Sequence, residues 1–300
     1  MSFFLLDWYW LQGQAKNEAF LEKSLLKSRF LPYIQFCVDW INHKPFGQIS
    51  AEDWGVIVDY WIQNYFPDPQ YKRFKDGRPI VAVYNTPGFR VDLGAETVPR
   101  LLADGNARAK KAGFPGIYWV AGNPDGDPAV LLNEGYEAAT RYNFPAEGSG
   151  GFPTSPARQH ILGAPNVWDR MPKELTPWLP LSAGFEHRPW FGRCPASCRY
   201  GITPELFERE LRNAKAWLDA RRQETLVIEA WNEWGEGSSL GPHAAFGFDL
   251  LEAIPRVFAR NEPPRPPVGP ADVGVHVPEI PGIWTQVARP AFSAAPEKKP

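Results

Sequence analysis

Two glutamates three residues apart, Glu233 and Glu236, lie in the run Trp231-Asn232-Glu233-Trp234-Gly235-Glu236-Gly237. A carboxyl group acts as an acid while it holds its proton and as a base or nucleophile once it has lost it. Cleavage of a glycosidic bond ordinarily uses one group of each kind. In a regular strand, residues three apart point to opposite faces, but Gly235 and Gly237 loosen this segment into a turn that lets both carboxylates face one cleft. Trp231 and Trp234 are placed to supply apolar surroundings that raise one of the two pKa values. The plainer reading is that these glutamates cap a helix or pair with an arginine.

Other polar and aromatic residues end apolar runs in the same way. They are Asp7, Trp8, Tyr9 and Trp10; Asp39, Trp40 and Asn42; Tyr84 and Asn85; Tyr142 and Asn143; Glu186, His187 and Arg188; and Asn232 and Trp234 beside the two glutamates. Carboxylates to move protons, amides and arginine to hold hydroxyls, and rings to stack on pyranose faces make up the inventory of a sugar site. Each has a bland alternative. Any single aromatic here is as well explained by the core, and His187 by a structural hydrogen bond. Asp7 and Asp39 are harder to dismiss, because an acid at the end of a buried strand costs free energy unless it is paired or used.

Something must bring these run ends together. Seven short runs rich in β-branched and aromatic residues alternate with stretches of helical period: FFLLDWYW (3–10), YIQFCVDW (33–40), PIVAVYN (79–85), GIYWVAG (116–122), AATRYNF (138–144), LPLSAGF (179–185) and TLVIEAWNEW (225–234). Repeated βα units predict a parallel sheet covered by helices on both faces. The fold predicted is α/β, a (β/α)8 TIM-type barrel whose catalytic groups sit at the C-terminal ends of the strands. Since seven strands are found, the missing one is most economically placed before Met1, and an open or partly closed barrel is the alternative. Helices are expected near 17–28, 51–65, 95–112, 128–136 and 204–221. Ser50-Ala51-Glu52-Asp53 reads as a capping box, and Thr203-Pro204 as a hydroxyl cap before a first-turn proline. Residues 1–260 form the predicted barrel domain, 145–178 one long loop, and 261–300 a proline-rich extended tail.

Composition narrows the classes. Three hundred residues fit one barrel and a tail, and a formal charge of −2 gives no electrostatic reason to expect a nucleic-acid partner. Three cysteines exclude a complete disulfide framework. Cys194 and Cys198, the close pair, read as structural or incidental, since no second pair at zinc-like spacing accompanies them. No apolar run reaches bilayer length and no signal peptide opens the chain, which places it by default in the cytoplasm if Met1 is its true start. A carbohydrate is the expected partner; oligomeric state is not readable.

The segment AWNEWGEGSSLGPHAAFGFDLLEAI resembles the C-terminal hallmark of the glycoside hydrolase family 99-like domain proteins, also described as WbsX-like glycosyltransferases of polysaccharide loci. The resemblance extends through FFLLDWYW, YIQFCVDW, EDWGVIVDYWIQNYFPDPQYKRFKDGRPIVAVYN and LSAGFEHRPW, and covers most of residues 3–256. It implies a (β/α)8 barrel, a retaining route without metal or cofactor, and Glu233 and Glu236 as the catalytic pair. By that resemblance Glu233 is the base that deprotonates the sugar 2-hydroxyl to give a 1,2-anhydro sugar, and Glu236 the general acid/base. Position 235 is Gly where the characterised hydrolases generally have His. Glu186, His187 and Arg188 enter from their place at a strand end, not from the resemblance.

Two other classes stay open. One is a glycosyltransferase of surface-polysaccharide assembly, ranked lower because no nucleotide-diphosphate site that joins a D-x-D to a Gly-rich loop is recognisable. The other is a non-catalytic carbohydrate-binding barrel.

Overall fold

The computed structural model describes residues 3–16, 20–43, 49–125, 127–142, 155–186, 188–192, 198–242 and 245–259. In chain order the strands are β1 (Phe3–Leu11), β2 (Gln14–Lys16), β3 (Gln35–Trp40), β4 (Ile80–Val83), β5 (Tyr118–Gly122), β6 (Ala138–Thr140), β7 (Ser155–Pro156), β8 (Thr176–Pro177), β9 (Leu179–Ser182), β10 (Arg199–Tyr200) and β11 (Leu226–Glu229). The α-helices are α1 (Ala51–Asn64), α2 (Thr86–Leu93), α3 (Val98–Lys111), α4 (Pro128–Glu134), α5 (Ala157–Trp168), α6 (Arg188–Phe191), α7 (Pro204–Arg221) and α8 (Asp249–Phe258). They fall into two compact units: Met1–Tyr142 with Arg170–Pro180, and Asn143–Asp169 with Leu181–Pro300.

The first unit is built on one sheet in the order β2-β1-β3-β4-β5-β6-β8, parallel throughout except for the short antiparallel β2 at its edge. Strand alternation sends Trp8, Trp40 and Trp119 to one face of this sheet. There they meet Trp54 and Trp61 of α1 and Phe89 of α2, with ring centroids 5.1 to 6.2 Å apart. Gly105 lets α3 sit close on this cluster, since a Cβ there would lie 2.8 Å from the Trp119 ring. The capping box forms as expected: Asp53 N donates to Ser50 Oγ at 3.1 Å and Ser50 N to Asp53 Oδ2 at 2.9 Å.

In the second unit β9, whose last two residues belong here, pairs with β11, and β7 pairs with β10. Ala183 N extends the first pair by donating to Glu229 O at 2.7 Å. α5 and α8 both pack on α7, which starts at the expected Thr203 cap. Cys198 is buried and disulfide-bonded, while Cys37 of the first unit is a buried free thiol.

The parallel α/β class is as predicted. A closed eight-stranded barrel is not seen among the described residues, because the sixth and seventh predicted strands form their own two-stranded sheet. Three local expectations also change. The stretch expected as a helix at 17–28 is, over its described part, turns and a 3-10 turn at Leu25–Lys27. The predicted loop 145–178 contains α5 and β8. Last, TLVIEAWNEW stays extended only to Glu229, after which the chain folds back. The tail from 260 onward lies outside the described residues.

Candidate active site

The segment after β11 is a closed reverse turn. Leu240 N donates to Ala230 O at 2.9 Å, Gly241 N to Trp231 O at 2.9 Å and Ser238 N to Glu233 O at 3.1 Å. Ser239 Oγ adds a bond to Trp231 O at 3.1 Å. At the tip Trp234–Glu236 makes one 3-10 turn, with Glu236 N on Glu233 O and Gly237 N on Trp234 O. Gly237 takes φ 58°, and a Cβ there would come within 2.9 Å of Glu186 Cβ; both facts require glycine. A second strand of chain lies against the turn: Glu186 N donates to Glu236 O, Arg188 is ion-paired to Glu186, and α6 packs on the 3-10 turn.

Glu233 and Glu236 are both half-buried on this turn. Burial raises the Glu233 carboxyl above its ordinary value, and the nearby charge of Glu236 raises it further. Asn232 and Trp234 are exposed, as is Trp231, so the indoles present ring surface to solvent. Glu186 is half-buried and Arg188 exposed. His187 lies outside the described residues.

Three buried charges that sequence reasoning passed over belong to the same unit: Glu229 at the end of β11, Glu210 of α7 and Arg199 of β10. Burial pushes Glu210 up to about 8, with the Arg199 charge opposing it; burial lowers the Arg199 pKa against the pull of Glu229 and Glu210. Only Glu229 carried a signal, as a carboxylate inside an apolar strand. Glu210 sits in the polar-looking run ELFERELRNAK, where nothing distinguishes it from its exposed neighbours.

In the first unit, strand alternation splits the expected set. Asp7 and Asp39 are register partners on neighbouring strands; Asp7 is exposed and Tyr9 Oη stands 3.4 Å from its Oδ2. Asp39 Oδ1 is buried without a hydrogen bond, and burial, then the Asp7 charge, holds this carboxyl well above the usual range. Trp8, Trp10 and Trp40, expected as sugar ligands, are instead core: they are 2%, 3% and 0% exposed, and a buried indole has no face left for a ligand. Trp8 Nε1 donates to Tyr65 Oη and Trp10 Nε1 to Asp53 Oδ1, while the Trp40 ring packs on Trp54 and Trp61 of α1.

Tyr84 and Tyr142 are half-buried at the C-terminal strand ends, their ring centroids 5.7 Å apart, with His43 at 5.7 Å on the other side of Tyr84. Two asparagines fix this row. Asn42 Nδ2 donates to Asn85 O and its Oδ1 accepts from Asn85 N, at 2.9 and 2.7 Å. Asn123 Nδ2 donates to Tyr84 O and its Oδ1 accepts from Tyr142 N, at 3.0 and 2.8 Å. Each amide thus locks adjacent strand ends together. Asn143 lies outside the described residues.

Among the described residues no group of three or more His, Cys, Asp or Glu could hold a metal, and no helix is long and apolar enough to cross a membrane.

A family model described as glycosyltransferase WbsX matches residues 184–254, the stretch that carries α6, α7 and the carboxylate turn. Two proteins of Xanthomonas campestris pv. campestris, from strains ATCC 33913 and B100 and both called uncharacterized protein WxcX, are 25% identical over 293 residues. The alignment covers 86% of this chain and 39% of those proteins, so the chain spans about two fifths of the length of these curated relatives. Among solved structures, a glycoside hydrolase-like protein superposes with a TM-score of 0.54 at 12% identity, over 79% of this chain and 74% of that one; the likeness is one of fold. A GH99 endo-alpha-mannosidase from Bacteriodes thetaiotaomicron gives 0.48 at 14% identity, over 75% and 68%. The family-model match and the fold of the glycoside hydrolase-like protein bear out the resemblance read from the sequence.

Proposed function

We propose that this chain acts on the glycosidic bonds of a poly- or oligosaccharide through Glu233 and Glu236, as a retaining glycoside hydrolase of the family 99-like type. The observation that carries the reading is the unequal carboxylate pair. Two glutamates share one closed turn, and burial together with the nearby charge of Glu236 raises the Glu233 carboxyl above its ordinary value. A retaining hydrolase needs that inequality; a helix cap or an exposed pair does not.

In the route implied by the resemblance, the Glu233 carboxylate takes the proton of the sugar 2-hydroxyl as the 2-oxygen attacks the anomeric carbon. Glu236 gives its proton to the departing oxygen. Water then attacks the anomeric carbon and opens the 1,2-anhydro ring, with Glu236 taking a proton from the water and Glu233 returning its proton to the 2-oxygen. A raised pKa makes Glu233 a stronger base in its ionised form. Asn232, Trp234, Glu186 and Arg188 are the proposed sugar ligands beside this turn.

The test is product formation by the purified chain on a panel of α-linked and bacterial-surface glycans, with Glu233→Gln and Glu236→Gln alongside. Cleavage that either substitution abolishes in a folded protein supports the hydrolase; binding without cleavage by all three sinks it in favour of a carbohydrate-binding domain.

A second reading, transfer of a sugar during polysaccharide assembly, is favoured by the description of the family model that matches 184–254. Saturable binding of a nucleotide sugar, which a hydrolase does not require, separates the two.

A further inference from the structure

Among the described residues the exposed tryptophans are Trp190, Trp231 and Trp234, at 64%, 40% and 50% exposure. All three belong to the carboxylate turn or to the short helix packed on it. An exposed indole leaves a large apolar face in water at a cost in free energy, and three gathered beside two carboxylates form a patch that asks for a ligand. Trp190 is the informative one. A Cβ built on Gly235 would lie 1.7 Å from its Nε1 and 2.2 Å from its Cε2, so the indole edge occupies the space a side chain at 235 would fill. Gly235 in turn stands between the two glutamates in sequence and inside the 3-10 turn that carries them.

We infer that the Trp190 indole is a sugar-stacking wall of the carboxylate site, and that Gly235 is the residue that admits it there. The inference rests on the reading of this turn as a glycan site and adds to it a specificity-determining residue. The chemistry is that of a pyranose. Its C–H face is apolar and flat enough to cover an indole, while its hydroxyls reach the adjacent carboxylates and Asn232. Arg188, ion-paired to Glu186 two residues earlier, and the Glu186 N to Glu236 O hydrogen bond hold α6 on the turn, so the wall is fixed relative to the acids it serves.

The test is affinity electrophoresis of the full chain through gels containing yeast mannan, dextran, xanthan or a purified bacterial O-antigen, in the Glu236→Gln background to prevent turnover. Trp190→Ala should weaken binding of the retarding polysaccharide roughly tenfold and Trp190→Phe by no more than about threefold. Gly235→Ala should weaken it as much as Trp190→Ala, and should add nothing in the Trp190→Ala background, because its effect is to displace the indole. Unchanged retardation of a folded Trp190→Ala protein overturns the inference alone, as does an equal loss from Gly235→Ala in both backgrounds. Retardation of the parent by none of the four polysaccharides overturns the glycan-site reading and the inference with it.

Discussion

Glu233 and Ser238 face each other across an antiparallel bridge, Ser238 N donating to Glu233 O at 3.1 Å, so the four residues between them form a closed loop. Both carboxylates of the candidate site ride on this one bridge.

Removing either carboxylate should therefore abolish catalysis while leaving the fold intact. Glu233→Gln and Glu236→Gln are expected to lose activity by about 10²–10⁴-fold with unchanged circular dichroism. An aryl glycoside, whose leaving group departs without protonation, should restore turnover to the variant lacking the acid, Glu236→Gln, and not to Glu233→Gln. Rescue of Glu233→Gln instead would exchange the two roles.

The pair also fixes a pH effect and its sign. The negative charge of Glu236 raises the Glu233 pKa, so replacing it by neutral glutamine removes repulsion and the Glu233 pKa must fall. Carbon-detected NMR titration of the Glu233 carboxyl should show its midpoint at lower pH in Glu236→Gln than in the parent. A midpoint that stays in place would mean the two groups do not interact.

Glu210 gives a stability prediction. Its carboxyl is raised by burial from the ordinary value to about 8 in the folded chain, so the folded state binds a proton that the unfolded state has released. Stability from this group is present below the unfolded pKa, near 4.3, and is lost as pH rises through about 8. Urea unfolding between pH 5 and 8 should show stability falling with pH in the parent, and a flatter dependence in Glu210→Gln.

The split between core and surface indoles is equally measurable. Trp40→Ala removes a fully buried ring from the cluster on α1 and should cost about 3–5 kcal/mol of unfolding free energy. Trp231→Ala, at an exposed position, should stay within about 0.5 kcal/mol. Comparable losses from the two would contradict the assigned faces.

Much of the scaffold was legible in the order of residues. Apolar β-branched runs marked the strands of the parallel sheet, Ser50 with Asp53 and Thr203 with Pro204 marked helix starts, and the paired glycines around Glu236 marked a turn, because each of these is a local preference of a few adjacent residues. Where local preference was weak or misleading, the reading failed. Ala157–Trp168 is helical despite Pro165 inside it, held by packing on α7, and residues 20–28, the described part of the stretch 17–28, are not an α-helix although their leucines suggest one.

The chain by itself thus determined which carboxylates could share a turn and which strands would lie parallel. Only the tertiary structure decided which aromatic rings meet solvent. Asp7 and Trp8 are adjacent in sequence, yet the pleat exposes the first and buries the second against α1, while Trp190 reaches Gly235 from 45 positions away. It also decided the direction of the Glu233 pKa shift, because desolvation of Glu233 and its repulsion by Glu236 arise from atoms brought near by folding, and no count of residues along the chain contains them.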